Sequence, residues 1–216
     1  MREHSWPTSQ SLGLSISGVV TSLAERDDLQ LISASKNGDQ DAFSLLVQRY
    51  QRQVFNLIFR MLQDYEEANE VTQEAFLAAW QGLPAFRGEA RFSTWLYRIA
   101  YNCALKQLET RKRDKALQMA LQAEQALELK GEDPKSSLLE TLDKQEMIQE
   151  QLSKLPPKYR VVLILRHLQD MTYEEMAEVL TMPVGTIKTH LFRARNLLKE
   201  RLQIFEQERK QRGMRG

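Results

Sequence analysis

Phe43, Val47, Tyr50, Val54, Leu57, Ile58 and Met61 recur at intervals of three and four residues. That spacing lays one apolar stripe along an α-helix. Nowhere does the chain alternate apolar and polar residues with β-branched enrichment, so strands are not expected. Helix-starting patterns recur instead. Asp27-Asp28-Leu29-Gln30 and Asp64-x-x-Glu67 read as capping boxes, Asp39 caps the long stripe, and Ser93 or Thr94 is placed to cap a helix carrying Trp95, Leu96, Ile99, Ala100 and Leu105. The fold class expected is all-α: two small helical domains joined by a flexible linker, the C-terminal one containing a helix-turn-helix.

The boundaries follow from composition shifts. Residues 1–26 read as a flexible extension, 27–113 as one domain, 114–142 as a linker, 143–205 as a second domain and 206–216 as a basic tail. The net charge of +1 hides an uneven distribution. Residues 1–26 and 27–113 each sum to zero, the linker carries −3, and residues 143–216 carry +4. The longest uncharged run, Ser5 to Ala24, is too rich in Ser, Thr and Gln to span a bilayer. A single cysteine, Cys103, excludes a disulfide framework and a cysteine zinc site. A reduced, cytoplasmic protein without membrane insertion is expected.

The C-terminal domain carries the sharpest pattern. Thr172-Tyr-Glu-Glu175 is a capping box, Thr181-Met-Pro-Val184 a short turn, and a helix follows through Lys199. At about 100° per residue, Ile187, Leu191, Ala194 and Leu198 share one face. Lys188, Thr189, Phe192, Arg193, Arg195, Asn196 and Lys199 share the opposite arc. Cations, an amide, a hydroxyl and an aromatic are what a helix in the major groove uses. An ordinary solvated face is the alternative; the acids gathered on the preceding helix, at Glu174, Glu175 and Glu178, and the outward Phe192 speak against it.

Two further stretches stand out. No basic residue lies between Met61 and Phe86, where Asp64, Glu66, Glu67, Glu70 and Glu74 are interleaved with Val71, Phe76, Leu77 and Trp80. This is either a solvated helix side or an acidic, partly apolar face for a basic groove on another protein. Phe86 to Asn102 mixes five aromatics with cations, as a core segment or a single-strand platform would. Phe86 sits in a loop with little to cover it. Asn102 could read the edge of an unstacked base. His4, His167 and His190 are scattered, and neither a phosphate-binding glycine loop nor a nucleophile–base pair occurs. No metal, no cofactor and no catalytic residue is expected, and the chain is not expected to be an enzyme. A dimeric helix-turn-helix regulator and a nucleic-acid enzyme with a strand channel remain as rivals.

Four motifs in order then resemble the bacterial sigma-70 family. They are Asp64-Tyr-Glu-Glu-Ala-Asn-Glu-Val-Thr-Gln-Glu-Ala-Phe-Leu-Ala-Ala-Trp80, Phe86-Arg-Gly with Phe92-Ser-Thr-Trp-Leu-Tyr-Arg-Ile-Ala-Tyr-Asn102, Leu155-Pro-Pro-Lys-Tyr-Arg160, and Tyr173-Glu-Glu-Met-Ala with Pro183-Val-Gly-Thr-Ile-Lys188. The likeness is to the compact extracytoplasmic-function (ECF) sigma factors, which keep only regions 2 and 4. It implies that residues 27–113 are region 2 and 143–205 region 4. It implies binding to the clamp of the largest subunit of core RNA polymerase through Asp64, Glu67, Glu70, Val71, Gln73, Glu74 and Phe76. Recognition and melting of a −10 promoter element fall to Phe86, Arg91, Trp95, Asn102 and Lys106, with Phe86 and Asn102 at a flipped base. Readout of a −35 element falls to Arg166, Thr186, Lys188, Thr189, Phe192, Arg193 and Asn196. An anti-sigma factor is the further partner implied.

Overall fold

The computed structural model describes residues 27–125 and 144–213, and every regular element among them is helical. The extension 1–26 and residues 126–142 of the expected linker lie outside the described residues. The first domain comprises α1 (Asp28–Lys36), α2 (Gln40–Leu62), α3 (Tyr65–Gly82), a 3₁₀ turn (Leu83–Ala85) and α4 (Phe92–Gln125). The second comprises α5 (Lys144–Ser153), α6 (Pro157–Leu168), α7 (Tyr173–Leu180) and α8 (Val184–Gly213).

Caps set most of the boundaries. Asp27 accepts from the Gln30 amide at 2.9 Å, Asp39 from Ala42 at 3.0 Å and Asp64 from Glu67 at 2.9 Å. Among the described residues, only Thr172 and Glu175 make the reciprocal box, at 3.2 and 2.8 Å. At Asp64 the second half is missing because Glu67 turns to Arg111, whose Nε donates to it at 2.8 Å. Ser93 and Thr94 do not cap α4. They lie inside its first turn, and Arg91 supplies the first accepting carbonyl, to Trp95 at 3.1 Å.

The first part of the expected linker, 114–125, is helical. Helix α4 runs on to Gln125, because Lys115, Ala116, Leu117, Gln118 and Met119 are strong helix formers even with their side chains in solvent. Helix α8 likewise reaches Gly213, through most of the expected tail.

Leu46, Leu57, Ile58, Met61, Leu83 and Leu96 fill the first domain's interior. Leu155, Ile164, Leu165, Met176 and Ile187 fill that of the second. The two domains pack on each other, α6 against α2 and α7 against α4. At the first of these contacts Arg160, 8% exposed, inserts its guanidinium between two helix ends. It donates to Met61 O at 2.8 Å and Arg60 O at 3.3 Å from α2, and to Leu155 O at 3.0 Å and Ser153 O from the α5 end. Tyr97 and Gln169 add a hydrogen bond of 2.8 Å between the domains, and burial pushes the Tyr97 pKa up to about 12.

Arg160→Lys keeps the charge but not the planar fork, so it cannot serve both helix ends together. Losing two such bonds is expected to cost about 2–3 kcal/mol, read as a lower midpoint in urea unfolding of the full chain. A midpoint equal to that of the unaltered protein would contradict the bridging role.

Candidate nucleic-acid interface

Helix α8 packs Ile187, Leu191 and Ala194 into the second domain and leaves the opposite arc outside. Lys188, Thr189, Phe192, Arg193 and Asn196 are all exposed there, Phe192 at 67%. Thr186 is half-buried in the first turn of the helix, and its amide donates to Pro183 O at 2.9 Å. Thr189 donates its hydroxyl back to Gly185 O at 2.9 Å, which leaves the oxygen's lone pairs to accept.

Each flank of this helix is organised by a tyrosine that the sequence reading did not single out. On one side the Tyr173 ring carries Arg166 at 5.3 Å and Lys188 Nζ at 5.5 Å. Arg166 also donates to Met171 O at 2.8 Å, so this cation is held by both a ring and a carbonyl. On the other side Lys158 Nζ lies 5.0 Å over Tyr159, and His190 meets the same ring edge-on at 5.5 Å. The Arg193 guanidinium hydrogen-bonded to the Tyr159 hydroxyl pulls its pKa below the ordinary tyrosine value, and Lys158 adds to the effect. Burial lowers the His167 pKa, with Arg195 beside it, so neutral His167 extends the face without adding charge at neutral pH. Aromatic–cation spacing at i and far-off positions is the only sequence signal that could have found these tyrosines, and it needs the fold.

The expected strand segment is arranged differently. Phe86 is 7% exposed, a core residue and not an uncovered loop aromatic. Its ring lies 5.9 Å from Phe92 and 5.1 Å from Trp95, and Lys36 stands 5.6 Å over it while donating to its carbonyl. Tyr50 extends this cluster to Phe92 at 5.5 Å and donates to Asp28, which also pairs with Arg49. Packing of α1 over the loop is what covers Phe86, and no local pattern announces it. The half-buried Trp95 presents its indole to a cleft of about 590 Å³ between the domains. Phe86, Arg87 and Arg98 line the cleft as well; Asn102 does not, although it is exposed on α4, as is Lys106. Phe86 and Asn102 are therefore not brought to one pocket. Gly88, at φ 76°, turns the loop in a conformation that side chains resist.

Helix α3 separates the acidic residues by role. Glu67 is a structural partner of Arg111 and of Gln107, the latter at 3.0 Å. Val71 and Phe76 are buried, so they shape the helix's seat in the core and are not available as contact residues. What faces out is Asp64, Glu70, Gln73 and Glu74, with Leu77 at 59% exposure among them. Among the described residues no cluster of three or more His, Cys, Asp or Glu could hold a metal, and no helix is long and apolar enough to cross a membrane.

Comparison with known proteins agrees with both halves. The sigma-70 region 2 family matches residues 46–114, and the sigma-70 region 4 family matches residues 145–198. The RNA polymerase sigma-H factor of Pseudomonas aeruginosa is 37% identical over 188 residues, covering 84% of this chain and 96% of that protein. The ECF RNA polymerase sigma factor SigW of Bacillus subtilis is 35% identical over 177 residues, covering 79% of this chain and 94% of that one. Among solved structures, CnrH in complex with the cytosolic domain of CnrY matches with a TM-score of 0.59 at 25% identity, over 81% of this chain and 96% of that chain. The sigma factor RpoE of Bartonella quintana, in complex with the anti-sigma factor NepR, shares the fold at a TM-score of 0.58 and 22% identity, over 75% and 97%. With both regions matched in order on two helical domains, the chain belongs to the sigma-70 family, in its extracytoplasmic-function group of RNA polymerase sigma factors.

Proposed function

We propose that this sigma factor docks on core RNA polymerase through the outward arc of α3, reads a −35 duplex with α8, and holds the unpaired −10 strand along the loop and helix from Arg87 to Lys106. The observation that carries the reading is the α8 face, where an exposed phenylalanine lies between two tyrosine-anchored cation clusters. A helix in the major groove runs between two phosphate backbones, so cations on both flanks suit one strand each. Phe192 and Asn196 on the crest reach base edges, the ring against a thymine methyl and the amide as a bidentate partner for adenine.

On the single strand, Trp95 supplies a stacking surface and Arg87, Arg91 and Arg98 meet phosphates. Phe86 supports Trp95 from below and does not itself stack on a base. Asn102 and Lys106 extend the track along α4. Bond formation is the polymerase's work; this chain contributes binding, selection and strand separation in the cytoplasm, where polymerase and promoter meet. CnrH and the Bartonella RpoE were each solved with a bound protein, and we extend the second case to this chain: an anti-sigma factor controls it. Promoter-specific transcription by core polymerase with and without the protein tests the whole reading, and transcripts unchanged by its addition would end it.

Two substitution sets test the parts. Leu77→Asp and the pair Glu70→Lys, Glu74→Lys should each weaken core binding about tenfold or more, measured by co-sedimentation, because they strike the centre and rim of the docking arc. Glu67→Lys should instead lower thermal stability through Arg111, and equal loss of core binding in a fully folded Glu67→Lys protein would contradict the division of roles. On DNA, Lys188→Ala and Arg193→Ala should each reduce the salt slope of −35 duplex binding by about one if they meet phosphates. A base contact would cost about 1–3 kcal/mol at one base pair. Unchanged affinity in both variants, across a salt series, removes α8 from the interface.

A further inference from the structure

One flank of the α8 face carries charges that the chain itself leaves unanswered. In the first turn of α6, Lys158 Nζ stands 5.0 Å over the Tyr159 ring, and Arg193 of α8 reaches the hydroxyl of the same tyrosine. His190 meets that ring edge-on at 5.5 Å, which ties α8 to α6 at this point. Lys158 and Arg193 are both exposed, and among the described residues neither takes part in an ion pair. The opposite flank differs, because Arg166 there already donates to Met171 O at 2.8 Å.

We infer that Lys158, the Tyr159 hydroxyl and Arg193 form a clamp for a single phosphate of the duplex, so that α6, outside the helix-turn-helix, adds two contact residues to the DNA interface. Two cations gathered at one ring repel each other, and with no carboxylate paired to either, an arriving anion relieves the repulsion. The phenol supplies a third donor. Its oxygen accepts from Arg193, its own hydrogen is left to give, and a hydroxyl polarised by a cation donates more strongly. The Tyr159 pKa, held below the ordinary tyrosine value, reflects that polarisation. Lys158 and Tyr159 do not lie on α8 at all, so the angular spacing that marks the base-reading arc does not include them. A phosphate contact carries no base information; it fixes where α8 sits along the groove. The inference rests on the reading of α8 as the −35 helix.

The test uses the full chain and a short fluorescein-labelled duplex enriched on it from a random pool, with binding followed by anisotropy across a salt series. Lys158→Ala should lower the salt slope by about one. Tyr159→Phe keeps the ring, loses only the hydroxyl, and should weaken binding about fivefold with little change in slope. That loss should be the same on duplexes carrying base-pair changes in the element. Lys112→Ala, which removes an exposed charge from the first domain, should match the unaltered protein. Duplexes with one uncharged methylphosphonate each then locate the contact. At one position the missing charge should weaken the unaltered protein yet cost Lys158→Ala, Tyr159→Phe and Arg193→Ala much less. Unchanged affinity in Lys158→Ala and Tyr159→Phe overturns the clamp, as do different positions for the three variants or an equal loss in Lys112→Ala. If Tyr159→Phe misfolds by circular dichroism, Lys158→Ala and Arg193→Ala decide the matter by sharing or not sharing a position. Failure to enrich any duplex, or binding indifferent to both Lys188→Ala and Arg193→Ala, instead defeats the α8 reading beneath it.

Discussion

The Arg160 guanidinium lies among carbonyls from two helix ends, one in each domain, and much of the arrangement depends on meeting its needs. A cation buried without partners would be far more costly than the contact is worth, so the site has to be built around it. The last carbonyls of a helix are unpaired and carry the negative end of its dipole, which makes them suitable partners that need no carboxylate. Burial lowers the Arg160 pKa, yet an arginine stays charged under these conditions. The result fixes where α2 ends relative to α5 and α6. From that, α7 is laid across the start of α4.

That placement makes the two proposed nucleic-acid surfaces unequal. The α8 face is finished as it stands, its cations held in place by Tyr173 and Tyr159 before any DNA arrives. Preset side chains lose less freedom on binding, which favours a fast, salt-sensitive encounter with duplex. At the start of α4, Arg91 is paired with Glu175 of α7 at 3.4 Å and is otherwise open to solvent. The proposed docking surface for polymerase is a third one, the outward arc of α3, whose Glu70, Gln73, Glu74 and Leu77 are exposed. On the proposed reading, recruitment, duplex recognition and strand capture are thus separated in space on one small chain.

How much of this could be read beforehand differs by element. The all-helical class, the stripe on α2 and the complete cap at Thr172 and Glu175 are local, repeating signals, and they appear where the periodicity put them. The exposed arc of α8 was equally legible, because side chains on an isolated helix follow its angular spacing. Phe86 was not: a loop aromatic reads as uncovered until α1 is folded over it and Lys36 reaches its carbonyl. Glu67 reads as half of a capping box, but Arg111, 44 residues later, outcompetes the Asp64 backbone for it. Val71 and Phe76 carry the motif of a docking helix, yet they face inward, since a motif records residue order and not orientation. The run of α4 to Gln125 was hidden because acidic and glutamine-rich composition suggested a tether where helix propensity alone sustains the turn.

Gly82 ends α3 with its hydrogen facing the Trp95 ring, and a β-carbon there would come within 3.3 Å of the indole. The ring packs on one side against the aromatic cluster of Phe86 and Phe92. The last residue of the proposed docking helix and the proposed stacking platform for the strand therefore share one packing contact. On the proposed reading, changes at 82 would surface in a genetic screen with the defects of a promoter-opening mutant. Compensating changes would be sought in the aromatic cluster rather than at either binding surface.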